Sequence, residues 1–460
     1  MLDWKARDER QLDEGQRMIE YRNLRVALLG GGSVGAQVAA LLLEHGDELA
    51  NRSGAGLELV GVAVRDVEAE RTPAIPGHLL TTDAESLILG SDIVVELMGG
   101  LEPARTYILQ AINSGADVIT ANKALLATHG PELFDAAEQV GAQLYYEAAV
   151  GGAIPIIRPL RDSLAGDRVT RILGIVNGTT NFILDRMDVN GDTLEGALAT
   201  ATELGYAEAD PTADIGGYDA AQKAAILASL AFHTTVPLES VYREGITEIT
   251  AEQVDAARKA GYVVKLLAIC ERIEIERDGR RTGEFGVSAR VHPALVPAAH
   301  PLAAVHGANN AVFVQAEAAG DLMFYGAGAG GLETASAVLG DLVSAARRHV
   351  IGGPGVAEST HANMAVLPIS SVRTRYQITL KVVDQPGVLA TIASLFSEHG
   401  VSVEAVSQSV SDGKNVELPT ATLVIVTHEA TEASLATTVA ALGGNEVVSA
   451  VVSVLRVEGL

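Results

Sequence analysis

The stretch LRVALLGGGSVGAQVAALLLEHG, from Leu24 to Gly46, limits what this chain can fold into more than any other. Residues 25–29, aliphatic after Arg25, suit a buried strand, and 34–43 carry helical spacing. Between them, Gly30, Gly32 and Gly35 allow a tight turn and a backbone that a ligand can approach closely. A strand that feeds directly into a helix needs a parallel partner, because the crossover helix returns the chain to the same end of the sheet. The sequence supplies the partners. LELVGVAV, DIVVEL, ADVITA and AQLYYEAAV follow in turn, separated by helical segments such as PARTYILQAINSG. Residues 23–150 are therefore expected to form a Rossmann-type α/β dinucleotide-binding domain. The helix after the glycines presents free N–H groups and a positive dipole end to a pyrophosphate, with Gly30, Gly32, Ser33, Val34 and Gly35 as the contact residues.

Ligands of open parallel sheets bind beyond the carboxyl ends of the strands. The second strand ends in VAVRD. An acid there would hold the ribose hydroxyls of NAD, and a base the 2′-phosphate of NADP; Arg65 precedes Asp66, which favours NADP(H) over NAD(H). A solvated arginine at a strand end is the plainer alternative, and Arg71 is a weaker second candidate for that phosphate. The strand DIVVEL ends at Met98 and Gly99, and DVITAN ends at Lys123. Both tips face the nicotinamide half of such a cofactor, and Lys123 is placed to reach a substrate beside it.

From Gly151 to residue 325 the pattern becomes α+β. Strands RVTRILGIVNG, EFGVSARV and NAVFVQAEA group around helices near 193–204, 219–233 and 251–259. The Gly-rich turn YGAGAGG leads into LETASAVLGDLVSAARRHV, whose helical spacing (326–350) suits a return to the first domain. Residues 351–373 mix Gly, Pro, Ser and Thr as a linker would. The order β-α-β-β-α-β over 374–460 predicts a ferredoxin-like third domain, whose first helix should bury Leu389, Ile392, Leu395 and Phe396. Residues 1–22 form a charged arm to which no role is assigned.

The catalytic candidates lie in GYAEADPTADIGGYDAAQK, where Glu208, Asp210, Asp214 and Asp219 precede Lys223. A substrate resembling an amino acid carries an ammonium that needs carboxylates and a carboxylate that needs a cation. Asp219 and Lys223 are spaced i, i+4, a geometry worth only a few tenths of a kcal/mol on a helix surface. Alone the pair reads as a surface one; the continuation of the spacing into Ile226, Leu227 and Leu230, the three carboxylates upstream and the family resemblance described below turn the expectation to a largely closed pocket. Burial would lower the lysine pKa and the acid would raise it, and the sequence leaves that contest open.

Composition removes other classes. With 33 Lys and Arg against 58 Asp and Glu, the net charge of −25 repels nucleic acid and anionic lipid. No run approaches the roughly 18 apolar residues of a membrane span. Cys270, the single cysteine, sits in the apolar VVKLLAIC, which suits a core residue and a reduced cytoplasmic setting. None of the 11 histidines combines with it in a zinc-binding spacing, so no catalytic metal is expected.

The motifs GGGSVG, VELMGGLEPA, TANKALLA, YYEAAVGGAIPIIRPL, GIVNGTTNFIL and GYAEADPTADIGGYDAAQK together resemble homoserine dehydrogenase in the form with a C-terminal ACT domain, from about residue 24 to the end. The resemblance implies NAD(P)H-dependent interconversion of L-aspartate 4-semialdehyde and L-homoserine, a step toward threonine, methionine and isoleucine. It implies Lys223 as acid/base with Lys123 competing, and Glu208, Asp214 and Asp219 as substrate ligands. A structural monovalent cation such as sodium is implied at Glu147, Val150, Gly152 and Ile154, mostly through main-chain carbonyls, and Gly326 and Gly328 are implied to approach the cofactor. Feedback inhibition by L-threonine at the ACT domain and a homodimer or homotetramer are further implications. Two departures stand out: Gly31 where a larger residue is common, and EHGDELANRSGAG as a lengthened loop. Another NAD(P)-dependent oxidoreductase of an amino-acid-derived aldehyde is the alternative enzyme. A non-catalytic amino-acid sensor is the alternative class, against which both lysines and all four carboxylates argue.

Overall fold

A computed structural model of the chain describes residues 22–277, 280–353, 358–410 and 420–459. Of the charged arm, only Arg22 falls among them. The N-terminal domain runs β1 (Asn23–Leu29), α1 (Ser33–Glu44), α2 (Gly46–Ser53), β2 (Gly56–Ala63), β3 (Leu80–Thr81), α3 (Ala84–Leu89), β4 (Ile93–Glu96), α4 (Ala104–Asn113), β5 (Asp117–Thr120), α5 (Lys123–Val140) and β6 (Leu144–Tyr145). Its strands pair in parallel in the order β3-β2-β1-β4-β5-β6. The chain changes direction across the sheet between β1 and β4, which opens a crevice at their carboxyl ends. β4 and β5 are buried throughout, as strands covered on both faces must be.

The segment expected as a lengthened loop is instead mostly α2. Burial of Leu49 and Ala50, together with Asp47 and Glu48 in the first turn, supports this helix. It ends at Gly54 in the left-handed conformation (φ +81°). Eight residues are too few for a periodic pattern to be legible.

The second domain runs β7 (Val169–Ile175), α6 (Gly178–Asn190), α7 (Leu194–Glu203), α8 (Thr212–Ile215), α9 (Tyr218–Phe232), β8 (Tyr242–Arg243), α10 (Ala251–Lys259), β9 (Tyr262–Arg277), β10 (Arg280–Pro297), β11 (Asn309–Ala316) and β12 (Gly320–Ala327). Two elements go beyond what the sequence pattern predicts, while Cys270 is buried as expected. NGTT and the residues after it continue as α6, whose inward Thr179, Thr180 and Asn181 interrupt any apolar stripe. The run holding Cys270 is the long strand β9, antiparallel to β10 and buried on both faces near the cysteine. α11 (Gly331–Ile351) returns to the first domain, where Ala335, Val338, Leu342 and Ala345 share a core with Val38 and Leu42 of α1.

Within the expected linker, the described residues 358–373 are tied to the protein body. Glu358 meets Tyr146 and Arg161, and β13 (Ala365–Val366) lies parallel to β10. The C-terminal domain then runs β14 (Arg373–Val383), α12 (Val388–Glu398), β15 (Val403–Val410), β16 (Thr420–Thr427), β17 (Ala430–Thr431), α13 (Glu432–Gly443) and β18 (Val448–Val457), with sheet order β18-β14-β16-β15. β18 pairs in parallel with β10, so the sheets of the second and third domains are continuous. On α12 the buried face is Val388, Ile392 and Phe396; Leu395 is partly buried and Leu389 is 49% exposed, contrary to expectation. The left-handed Gly387 (φ +96°) starts the helix so that Val388, not Leu389, opens the inward i, i+4 row.

Candidate active site

Backbone crowds the phosphate loop at two of its glycines. Gly30 has φ +104°, and a Cβ there would stand 2.7 Å from Leu97 O; one on Gly35 would stand 2.0 Å from Gly30 O. A Cβ on Gly32 would meet no protein atom within 4 Å, so this is the open side. No side chain caps α1, which leaves the first-turn N–H groups of Ser33, Val34 and Gly35 to a ligand. Gly331 packs against Ser33, with a would-be Cβ 3.1 Å from Ser33 O. Gly326, at the end of β12, and Gly328 lie just before it, and Gly328 leaves no room for a side chain beside Asn310. Arg65 is exposed beyond β2. It is Arg71, the lesser candidate, that stands at the loop: its Nε is 3.0 Å from where a Gly31 Cβ would be, and its guanidinium is braced by Ala69 O and Asp66 O. The unusual Gly31 thus gives Arg71 its place.

The tips of β4 and β5 are tied together by polar groups that sequence reasoning left unassigned. Buried Glu96 accepts from Met98 N (2.7 Å), Gly99 N (3.1 Å) and Thr120 Oγ1 (2.7 Å). Asn122 caps α5 by accepting from Leu125 N (3.1 Å), and its amide donates to Gly100 O (2.7 Å). Met98, Gly99 and Lys123 are therefore fixed relative to one another.

Lys123 opens α5, and its Nζ lies 3.1 Å from Asp219 Oδ1. Lys223, one turn along α9, places its Nζ 2.8 Å from Asp219 Oδ2 and donates to Val176 O at 2.6 Å. One carboxylate thus joins both candidate lysines. Asn177, the cap of α6, donates to Asp214 Oδ1 (2.7 Å) and Asp219 Oδ2 (3.0 Å). Asn177 went unassigned although NGTT, an Asn before a helix-starting run, has the look of a cap. The Lys223 side chain is 10% exposed and that of Lys123 41%, so one is enclosed and the other faces the cleft. Burial opposes the Asp219 charge, but Lys223 and then Lys123 outweigh it and hold that carboxyl well below the usual carboxylate range. Burial moves Asp214 the other way, upward, despite the Asn177 amide. Glu208 and Asp210 are exposed and stand outside this hydrogen-bonded cluster; Asp210 accepts from Thr212 N (3.1 Å).

In the candidate cation loop, the Glu147 side chain is already committed. It accepts from Ile156 N (2.6 Å), Ile157 N (2.8 Å), and Arg158 N and Nε (both 2.9 Å). Only its carbonyl is left for a cation, alongside those of Val150, Gly152 and Ile154. Gly151 (φ +80°) and Gly152 (φ +57°) make the loop turn sharply, and a Cβ on Gly152 would stand 2.5 Å from Gly328 O. Among the described residues no group of three or more His, Cys, Asp or Glu side chains could hold a metal, and no helix is long and apolar enough to cross a membrane.

Comparison with known proteins agrees with this architecture. Family models match in order: the homoserine dehydrogenase NAD binding domain over residues 30–147, homoserine dehydrogenase over 155–343, and the ACT domain over 376–445. A homoserine dehydrogenase of Corynebacterium glutamicum is 53% identical over 435 residues, covering 94% of this chain and 95% of its own. One of Bacillus subtilis is 41% identical over 441 residues, covering 95% and 98%. The crystal structure of a homoserine dehydrogenase from Thiobacillus denitrificans superposes with a TM-score of 0.86 at 39% identity, covering 95% of this chain and 98% of that one. A hyperthermophilic archaeal homoserine dehydrogenase in complex with NADPH gives 0.59 at 26% identity, covering 72% and 99%. The chain belongs to the homoserine dehydrogenase family: it is an NAD(P)-dependent oxidoreductase that acts on a CH–OH group, built from a Rossmann-type domain, a catalytic domain and a C-terminal ACT domain.

Proposed function

We propose that the enzyme reduces L-aspartate 4-semialdehyde to L-homoserine, reversibly and with NADP(H) preferred, using Lys223 as the proton donor and Asp219 to hold both lysines at the reacting carbonyl. The observation that carries this reading is the single buried carboxylate bridging Lys123 and Lys223 at the mouth of the sheet crevice. The dinucleotide, when bound, supplies the hydride to the aldehyde carbon in the reducing direction and accepts it back in the other. As negative charge grows on the carbonyl oxygen, a lysine ammonium stabilises it and then delivers a proton. Lys223 spends two of its three N–H donors on Val176 O and Asp219, which aims the third. Lys123 is the second candidate, favoured by its greater exposure to the cleft. Asp214 and Glu208 are the proposed partners of the substrate ammonium.

The residues fit the dinucleotide: an uncapped helix start, an open Gly32 and a guanidinium beside Gly31. Arg71, with Arg65, is the proposed contact for the 2′-phosphate. A structural monovalent cation such as sodium is the proposed occupant of the carbonyls of Glu147, Val150, Gly152 and Ile154, a reading supported by the sharp turn that the left-handed Gly151 and Gly152 impose on this loop. We further propose feedback inhibition by L-threonine through the ACT domain, a homodimer or homotetramer, and a cytoplasmic setting.

Nicotinamide absorbance on adding L-homoserine with NADP, and separately with NAD, tests the core of this reading. A faster rate with NADP is expected; silence with both would sink it. Lys223→Ala should abolish turnover while NADP(H) binding persists, and retained activity would pass the role to Lys123. A threonine titration of the full-length enzyme should lower the rate; an insensitive rate refutes the feedback role. Truncation at residue 374 is the wrong test, since it would strip Glu458 from the half-buried Arg171 and the buried Arg290, and β18 from β10.

A further inference from the structure

The helix that carries Asp219 and Lys223 begins without a side-chain cap. Its N-cap is Gly217, in the left-handed conformation at φ +77°. The start of α9 is fixed instead by the neighbouring residues 242–246. Ile246 N donates to Ile215 O at 2.8 Å, and the Arg243 guanidinium donates to Gly216 O while lying 3.5 Å from the centre of the Tyr218 ring. The contact has no slack. A Cβ on Gly217 would stand 3.2 Å from Glu244 O, and one on Gly245 would stand 2.2 Å from Ile215 O. A shift of residues 242–246 therefore shifts the start of α9, where Asp219 lies in the first turn.

These residues are gripped from both domains. On the catalytic side β8 pairs with β10, and Glu244 N donates to Val291 O at 2.7 Å. On the ACT side the Glu244 carboxylate accepts from Arg456 Nη1 at 3.0 and 2.9 Å, and also from the Tyr242 hydroxyl. Arg456 sits on β18 opposite Ala294 of β10. Its Nε donates to Glu432 Oε1 at 3.0 Å, and Tyr376 donates to that same oxygen at 2.6 Å. The guanidinium thus spends one edge on α13 of the ACT domain and the other on Glu244. A planar fork with both edges engaged transmits position in a way a flexible ammonium does not.

We propose that Glu244 is a positioning residue for the reaction, through which Arg456 of the ACT domain sets the start of α9 and so the place of Asp219 and its two lysines. This rests on the reading of Asp219, Lys123 and Lys223 as the reacting site. It makes the ACT domain a built-in part of the catalytic geometry with or without an effector.

The test uses full-length Glu244→Gln, Arg456→Lys and Tyr242→Phe, each read for kcat and KM with L-homoserine, KM for NADP, and thermal unfolding. Displacement of a catalytic group by a fraction of an ångström predicts a fall in kcat of about tenfold for Glu244→Gln and Arg456→Lys. KM for NADP should stay at the wild-type value, Tyr242→Phe should show a smaller fall in kcat, and Glu244→Asp, which keeps the charge, should recover part of the loss. A merely structural tie would lower Tm and leave kcat per folded molecule unchanged, and that result overturns the proposal. If Glu244→Gln fails to fold, unchanged kcat in folded Arg456→Lys and Tyr242→Phe overturns it equally. Wild-type enzyme silent with homoserine would instead refute the function on which the proposal rests, so the two failures are distinguishable.

Discussion

Replacing Asp219 by asparagine preserves shape and removes one charge, and the structure says what should follow. Lys223 lies 2.8 Å from the carboxylate and is nearly enclosed, so at an effective dielectric of about 20 the gross attraction is about 6 kcal/mol. Lys123, at 3.1 Å, is 41% exposed, and solvent screening reduces its share to about 1 kcal/mol or less. Breaking one side of a buried pair costs about 3–5 kcal/mol net, because the other charge is left without its partner. At neutral pH, Asp219→Asn should lose about 3 kcal/mol of stability, or about 6–12 °C in Tm. Burial opposes the Asp219 charge, but Lys223 and Lys123 outweigh it and hold the carboxyl well below the usual carboxylate range. The unfolded chain therefore takes up a proton there before the folded one does, so this contribution is present above about pH 4 and is lost as pH falls further, and the gap between wild type and variant should narrow in acid. With the two lysines no longer held by one carboxylate, the rate of semialdehyde reduction should fall about tenfold or more. Initial rates of NADPH-dependent semialdehyde reduction at neutral pH, beside thermal unfolding from about pH 3 to about pH 8, measure both effects. A variant whose rate and Tm both coincide with the wild type at neutral pH would refute the claim that Asp219 holds the two lysines in place.

Glu147→Gln places an amide where four N–H groups converge on a carboxylate, and should lower stability by about 3 kcal/mol in chemical denaturation. An unchanged midpoint would show that this carboxylate does not pin the cation loop. Gly31→Ala puts a methyl 3.0 Å from Arg71 Nε and 2.9 Å from Val64 Cγ1, so Arg71 must move. KM for NADP should rise about fivefold, or about 1 kcal/mol, with KM for NAD little changed; an equal rise for both would remove Arg71 from the 2′-phosphate. Burial pushes the Asp341 carboxyl up to about 7, against the pull of Arg158 and the Glu147 N–H. The folded state then keeps a proton that the unfolded chain has lost, so stability falls as pH rises from about 4 to about 7, by at most about 4 kcal/mol. Asp341→Asn should abolish that slope in pH-dependent unfolding, and an unaltered slope would refute the assignment.

Sequence alone determined what local periodicity and local chemistry control. The glycine spacing after β1, the parallel strands behind it and the buried stripe below Lys223 follow from patterns a few residues long, and each is present in the structure. The family motifs identified the chemistry, because no short stretch does so by itself. Three kinds of fact needed the tertiary structure. Lys123, Asn177 and Asp219 lie far apart in the chain, and only the packing of α5, α6 and α9 makes one carboxylate the partner of both lysines. Arg71 rather than Arg65 stands at Gly31 because the loop after β2 folds back, a turn with no periodicity to read. The union of β18 with β10, which brings Arg456 to Glu244, depends on strand register across domains. Hydrophobic pattern fixes which face of a strand turns inward, but which strand it pairs with is settled by packing between distant segments, where adjacent residues carry no record of it.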